Sequence, residues 1–171
     1  MMSLALPAAA QQAEEVEVPK AEIYGGYSYL RADFGGQNQT FNGWNFSLNE
    51  NLNSWFGGKA DFSGHLAQPG GVNVNAYLFL FGPQFSYRRS KSVTPFAHVL
   101  LGGIRASEGY VGISQAATKF AAAFGGGFDL RVHQNVAIRV VQAEYFITPF
   151  FNQRQDNVRV SGGLVLRFGK R

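Results

Sequence analysis

Cysteine is absent from the 171 residues. No disulfide framework, thiol nucleophile or Cys-ligated metal can therefore be built. No run of about 18 consecutive apolar residues occurs either, which excludes a membrane-spanning helix. Charge is sparse: 15 Lys and Arg stand against 11 Asp and Glu, leaving a net charge of +4 spread along the chain. Without a basic stripe, nucleic acid is not an expected partner, and a mild attraction to anionic head groups is the most the charge supports. His65, His98 and His133 have no metal-ligand spacing. Gly25–Gly26, Gly57–Gly58 and Gly125–Gly127 lack the strand-to-helix setting of a phosphate loop. The expectation is a single domain with no catalytic residue, no cofactor and no metal.

Glycine (21 residues) and aromatics (15%) are plentiful, where glycine averages roughly 7% in soluble domains. A small β-barrel uses both, aromatics for interfacial girdles and glycines for curvature and close lumen packing. The most informative stretch is Asn75–Arg88. Read with period two, Tyr77, Phe79, Phe81, Phe85 and Tyr87 share one face, and Ala76, Leu78, Leu80, Gly82, Gln84, Ser86 and Arg88 share the other. Tyr77–Tyr87 spans roughly 33 Å, long for a small soluble sheet and suited to a tilted membrane-crossing strand. Tyrosines at the ends with phenylalanines between fit two interfaces around hydrocarbon. A soluble sandwich or lipocalin-like barrel is the alternative, with the aromatic face packed inward.

Seven further segments read as strands: Ala21–Arg31, Gly43–Asn49, Asn53–His65, Thr94–Ala106, Thr118–Arg131, Asn135–Ile147 and Asn157–Phe168. In the seventh strand parity breaks, because Arg139 falls opposite Gln142 and Glu144. A β-bulge near Val140–Val141 would place all three on one face. Asn49–Asn53, Arg89–Val93 and His133–Asn135 read as short turns. Asp33–Phe41, Leu66–Asn73, Ser107–Ala117 and Pro149–Gln155 read as longer loops. The predicted fold is all-β: an eight-stranded antiparallel up-and-down transmembrane β-barrel with short periplasmic turns and longer extracellular loops. Its inward residues form a polar core of Glu22, Lys59, Asp61, His65, Arg88, Lys119, Asp129, Arg131, Glu144, Arg159 and Arg167. Eight strands enclose a lumen that side chains fill, so these charges are expected to pair as a plug.

Residues 1–10 read as the end of a secretory signal, with Ala8 and Ala10 before Gln11, although a positive n-region is missing. Residues 11–20 read as a flexible lead-in, and 21–171 as the barrel domain.

The stretches EIYGGYSYLRA, NGWNFSLNENLNSWFGGKADFSG, FLFGPQFSYRRSKSVTPFAH, AAAFGGGFDLRV and SGGLVLRFG carry a family likeness. The chain resembles the small OmpA/OmpX-type bacterial outer-membrane β-barrel proteins over roughly Ala21 to Gly169. In the closing strand, Ser161, Gly163, Leu166 and Phe168 are similar to the signal read by the outer-membrane assembly machinery. The usual pattern often ends on the aromatic, whereas Gly169–Lys170–Arg171 follow it here. The resemblance implies a bacterial outer-membrane location, with outer-membrane lipids, lipopolysaccharide and the assembly machinery as partners. It sets no oligomeric state. No counterpart of the peptidoglycan-binding domain that follows the barrel in OmpA is read in these residues, so cell-wall anchoring is not among the expectations.

The leading functional reading is a non-enzymatic integral outer-membrane protein with a structural or surface-interaction role. One alternative is a narrow ion or small-solute pore lined by Lys59, Arg88, Arg131 and Arg159. Another is a membrane-embedded lipid-modifying enzyme, since small barrels also host lipid A deacylases and acyltransferases. Its candidates would be Ser63 and His65 beside Asp61. On one strand Asp61 and His65 lie about 13 Å apart, too far for a triad, and the His-x-Ser arrangement of the deacylases is missing.

Overall fold

The computed structural model describes residues 17–34, 37–67, 73–110, 113–150 and 153–170. Residues 1–10 and most of the lead-in lie outside them. Eight strands follow in order: β1 (Ala21–Phe34), β2 (Gln37–Asn51), β3 (Phe56–Ala67), β4 (Asn73–Ser86), β5 (Val93–Tyr110), β6 (Ile113–His133), β7 (Val136–Phe150) and β8 (Gln153–Phe168). Each pairs antiparallel with its neighbours in sequence, and β8 closes on β1. Closure leaves no unpaired sheet edge, the condition hydrocarbon imposes on a spanning sheet.

The period-two pattern sets which face each residue takes. Along β4, Ala76, Leu78, Leu80, Gln84 and Ser86 are buried, while Tyr77, Phe79, Phe81 and Phe85 are exposed. The same inversion runs round the barrel: Trp44, Leu48, Val99, Leu101, Phe120, Phe124, Leu164 and Leu166 face out, and Asp61, Glu144 and Arg159 face in. A soluble lipocalin-like barrel would have these faces exchanged, so that alternative fails.

Following the ladder from Ala21 through Glu50, Gly58 and Pro83, crossing β5 at Val99 in the register set by Phe81–Leu101 and Gln84–His98, and on through Phe124, Tyr145 and Val158, leads back to β1 at Arg31, ten residues along. With eight strands about 4.8 Å apart and a rise of about 3.3 Å per residue, that stagger tilts the strands roughly 40°. The ten residue steps from Tyr77 to Tyr87 then cover roughly 25 Å of the membrane normal, the height of the apolar band of an outer-membrane barrel.

Along β7 regular pairing breaks on both sides of the strand. Asp129 pairs with Arg139 and Phe128 with Val141, so Val140 is the extra residue of a bulge. On the other side, pairing with β8 passes from Arg139 to Gln142. The predicted bulge is therefore present, and it restores Arg139, Gln142 and Glu144 to one face.

Strand bounds differ from the sequence reading. Three of the four stretches read as longer loops are largely strand: β1 reaches Phe34 and β2 starts at Gln37, β5 reaches Tyr110 and β6 starts at Ile113, and β7 and β8 extend to Phe150 and from Gln153, while most of Leu66–Asn73 lies outside the described residues. Beyond the membrane both faces meet water, so the alternating pattern fades while the backbone ladder continues. At the opposite end the connections are compact. The Asn53 side chain accepts hydrogen bonds from the Trp55 and Phe56 backbone N–H groups, and the Ser90 hydroxyl from those of Ser92 and Val93. Such side-chain mimicry of a backbone turn is why Asn and Ser are favoured there.

Candidate functional site in the barrel lumen

Alternation and the bulge together aim charged and polar side chains into the lumen, where Asp61, Glu144 and Arg159 are buried. At its centre is Arg159, fully buried on β8. Its guanidinium donates to Glu144 (2.6 Å), Ser63 (2.6 Å) and Asp61 (2.7 Å), from β7 and β3, and its planar fork lies over the Phe146 ring at 4.9 Å. Charge-assisted bonds of this kind are about twice as strong as neutral ones. Asp61 also faces Lys59 at 3.4 Å and accepts from Asn45. Glu144 also contacts His98 at 2.8 Å.

A second guanidinium, Arg139, is held by Asp129 through two bonds of 2.8 and 3.1 Å and donates to Gln142. It sits between the Tyr24 and Phe96 rings at 4.4 and 4.2 Å. Gln142 links the two groups by accepting from Lys59 and donating to Asn45. At the turn end, Glu22 is shared by Arg88 (2.7 Å) and Arg167 (3.0 Å), and Asn51 donates to the same carboxylate.

The polar core expected from the sequence is therefore assembled, with three corrections. Lys119 is exposed, because it lies far enough along β6 to clear the lumen. Arg131 is half-buried at the opposite mouth. The interior is also not polar throughout: Leu78, Leu80, Leu100, Ile104, Ala121, Ala123 and Phe146 form an apolar cluster, and Leu30, Ala32 and Phe41 another. On β4, β5 and β7 the inward residues turn apolar beyond Gln84, His98 and Glu144, so an apolar layer backs the ion pairs. The inward apolar residues were visible in the sequence on β4, but short runs shared among strands do not reveal that they meet.

The lipid-modification candidates are not brought together. Ser63 accepts from Arg159, Asp61 is held by Arg159 and Asn45, and His65 instead contacts Ser28 at 2.9 Å. Sequence reasoning missed this Ser–His pair, whose members are 37 residues apart. The register explains it: Ser28 pairs with Gly43 and Gly43 with His65, so the two side chains meet over a glycine. His65 Nδ1 has no hydrogen-bond partner, and both residues are 0% exposed. A nucleophile and base need a third, orienting group and access to substrate. This pair has neither.

Outside, aromatic rings mark two levels. At the turn end Trp55 stacks on Phe85 at 6.0 Å and Phe56 meets Phe85 at 5.4 Å. At the other level Tyr27, Tyr29, Trp44 and Tyr77 are exposed, with Phe62, Phe79 and Phe81 in contact between. Amphipathic rings favour the two membrane–water interfaces.

The family described as outer membrane protein beta-barrel domain matches residues 1–168. The chain belongs to that family. Among solved structures it is similar to Neisserial surface protein A, with a TM-score of 0.76 at 15% identity over 87% of this chain and 97% of that one. It is also similar to Ail of Yersinia pestis, with a TM-score of 0.60 at 18% identity over 86% and 99%. OprG of Pseudomonas aeruginosa follows with 0.58 at 10% identity over 89% and 97%. At these identities the likeness shows the fold. A search among curated proteins finds no significant match. As a member of the outer-membrane barrel family, the protein resides in the bacterial outer membrane, with girdles and lipid-facing apolar band as described. The described chain enters β1 and leaves β8 at the turn end, which in such barrels is periplasmic.

Proposed function

We propose that the protein is a non-conducting, non-enzymatic outer-membrane barrel whose extended outer hairpins make surface contacts. The observation that carries this reading is the lumen: Arg159, Asp61, Glu144, Lys59 and Arg139 interlock across it, with the apolar layer of Leu78, Leu80 and Leu100 beyond. An ion entering would have to displace buried pairs worth several kcal/mol each and then cross an apolar constriction. Refolded protein in a planar lipid bilayer is expected to give no stepwise conductance above the lipid baseline. Reproducible channel steps would favour the pore reading instead.

The surface role rests on the strands that run past the membrane band, above all the 18-residue β5 and 21-residue β6. Arg31, Arg105 and Lys119 are exposed towards that end, which suits an acidic partner. Ail has been solved with the heparin analogue sucrose octasulfate. Cells displaying this barrel are expected to adhere to heparin-coated wells more than cells displaying R105Q/K119Q. Equal adhesion would remove the acidic-partner reading. Recognition by the assembly machinery is assigned to Ser161, Gly163, Leu166 and Phe168, and F168A is expected to slow insertion in vivo.

A further inference from the structure

We propose that the periplasmic mouth of the barrel is a binding site for a phosphate group. A cleft of about 160 Å³ opens there between the lead-in and the β6–β7 turn, lined among others by Glu17, Arg131, Gln134, Asn135, Arg167 and Lys170. One buried water needs roughly 10–15 Å³ of such space, so the cleft accommodates an anion with several waters.

Its charges do not balance. Glu22 alone serves two guanidiniums, Arg88 and Arg167. Glu17 is engaged by Lys170. Asp129, two residues from Arg131 on the same strand, is taken up by Arg139. Among the described residues, Arg131 therefore adds a second positive charge that no carboxylate here offsets. The mouth carries a surplus of two charges, which a dianionic phosphate cancels.

Donors are also left over. Arg167, 5% exposed, spends Nε on Glu22 and keeps Nη2 buried without a partner, and Arg131 keeps Nε in the same condition. Both arginines line the cleft. A buried guanidinium N–H without an acceptor is costly, and phosphate oxygens are the acceptors its planar fork fits best. The backbone prepares the site. Gly169 takes a φ of +67°, which turns the chain so that Lys170 reaches back to Glu17. Asn135 steadies the wall by donating to the Arg167 carbonyl.

The phosphate could be the head group of an inner-leaflet lipid or a soluble ester, and the test distinguishes them. The full chain, refolded in a maltoside detergent free of phosphate, is titrated with inorganic phosphate while backbone amide shifts are followed. Saturable shifts confined to Arg131, Gln134, Asn135 and Gly169 are expected. R131Q should weaken binding roughly tenfold, the loss of one charge-assisted bond, and R89Q, in the exposed turn outside the cleft, should not. Absence of shifts, or equal weakening by R89Q, would overturn the proposal and leave the arginines simply hydrated. Competition by phosphatidic acid in the micelle at lower concentration than glycerol phosphate in solution identifies the lipid head group, and the reverse order identifies the soluble ester.

Discussion

Replacing Arg159 by methionine tests the lumen network at its centre. The change keeps a long flexible side chain but removes three hydrogen bonds of 2.6–2.7 Å and, among the described residues, the one guanidinium that touches both Asp61 and Glu144. Side chains on both sides are 0% exposed, so water does not replace what is lost. Breaking a buried pair costs about 3–5 kcal/mol, because a charge is left behind. Here Lys59 still faces Asp61 and His98 still contacts Glu144, so the lower end, about 3 kcal/mol, is expected. With m of about 1–3 kcal/mol per molar, the urea midpoint should fall by roughly 1–3 M. The assay is urea unfolding of protein refolded into phosphatidylcholine vesicles, followed through Trp44 and Trp55, both on the lipid side. The triple variant D61N/E144Q/R159M removes the stranded charges as well and should recover part of the loss. A cost below about 1 kcal/mol for R159M, typical of a surface pair, would mean that the lumen is hydrated. The sealed-lumen argument would then fail with it.

Three further outcomes are expected. F81R puts a charge near the middle of the lipid-facing wall and should cost about 2–4 kcal/mol in the same urea assay, whereas F168R, at the strand end, should cost little. G43V should abolish the heat-modifiable gel shift, because a Cβ there overlaps the Gly64 carbonyl, while G25A, with open space around it, should keep the shift. H65A breaks the Ser28 contact without touching lipid A chemistry, so lipid A composition by mass spectrometry should match wild type, and a change would revive the enzymatic reading.

Much of this protein is determined by the sequence alone. Tyr77, Phe79, Phe81 and Phe85 alternate with Leu78, Leu80 and Gln84, and period two admits only a two-faced strand. Repeating that pattern eight times fixes strand number, and the polarity of the faces opposite the aromatics shows which side is lumen. Even the bulge at Val140 was legible, because Arg139 cannot share a face with Gln142 and Glu144 without an inserted residue. What the sequence could not decide is anything that depends on shear. Which acid meets which base follows from the ten-residue stagger, since that sets the level at which Arg159 on β8 faces Asp61 on β3 across the barrel. Ser28 and His65 meet for the same reason, over Gly43. The outer strand ends were hidden because alternation disappears where both faces are wet. The surplus charge at the periplasmic mouth was hidden because pairing is a property of distances between strands, and only closure of the barrel sets those.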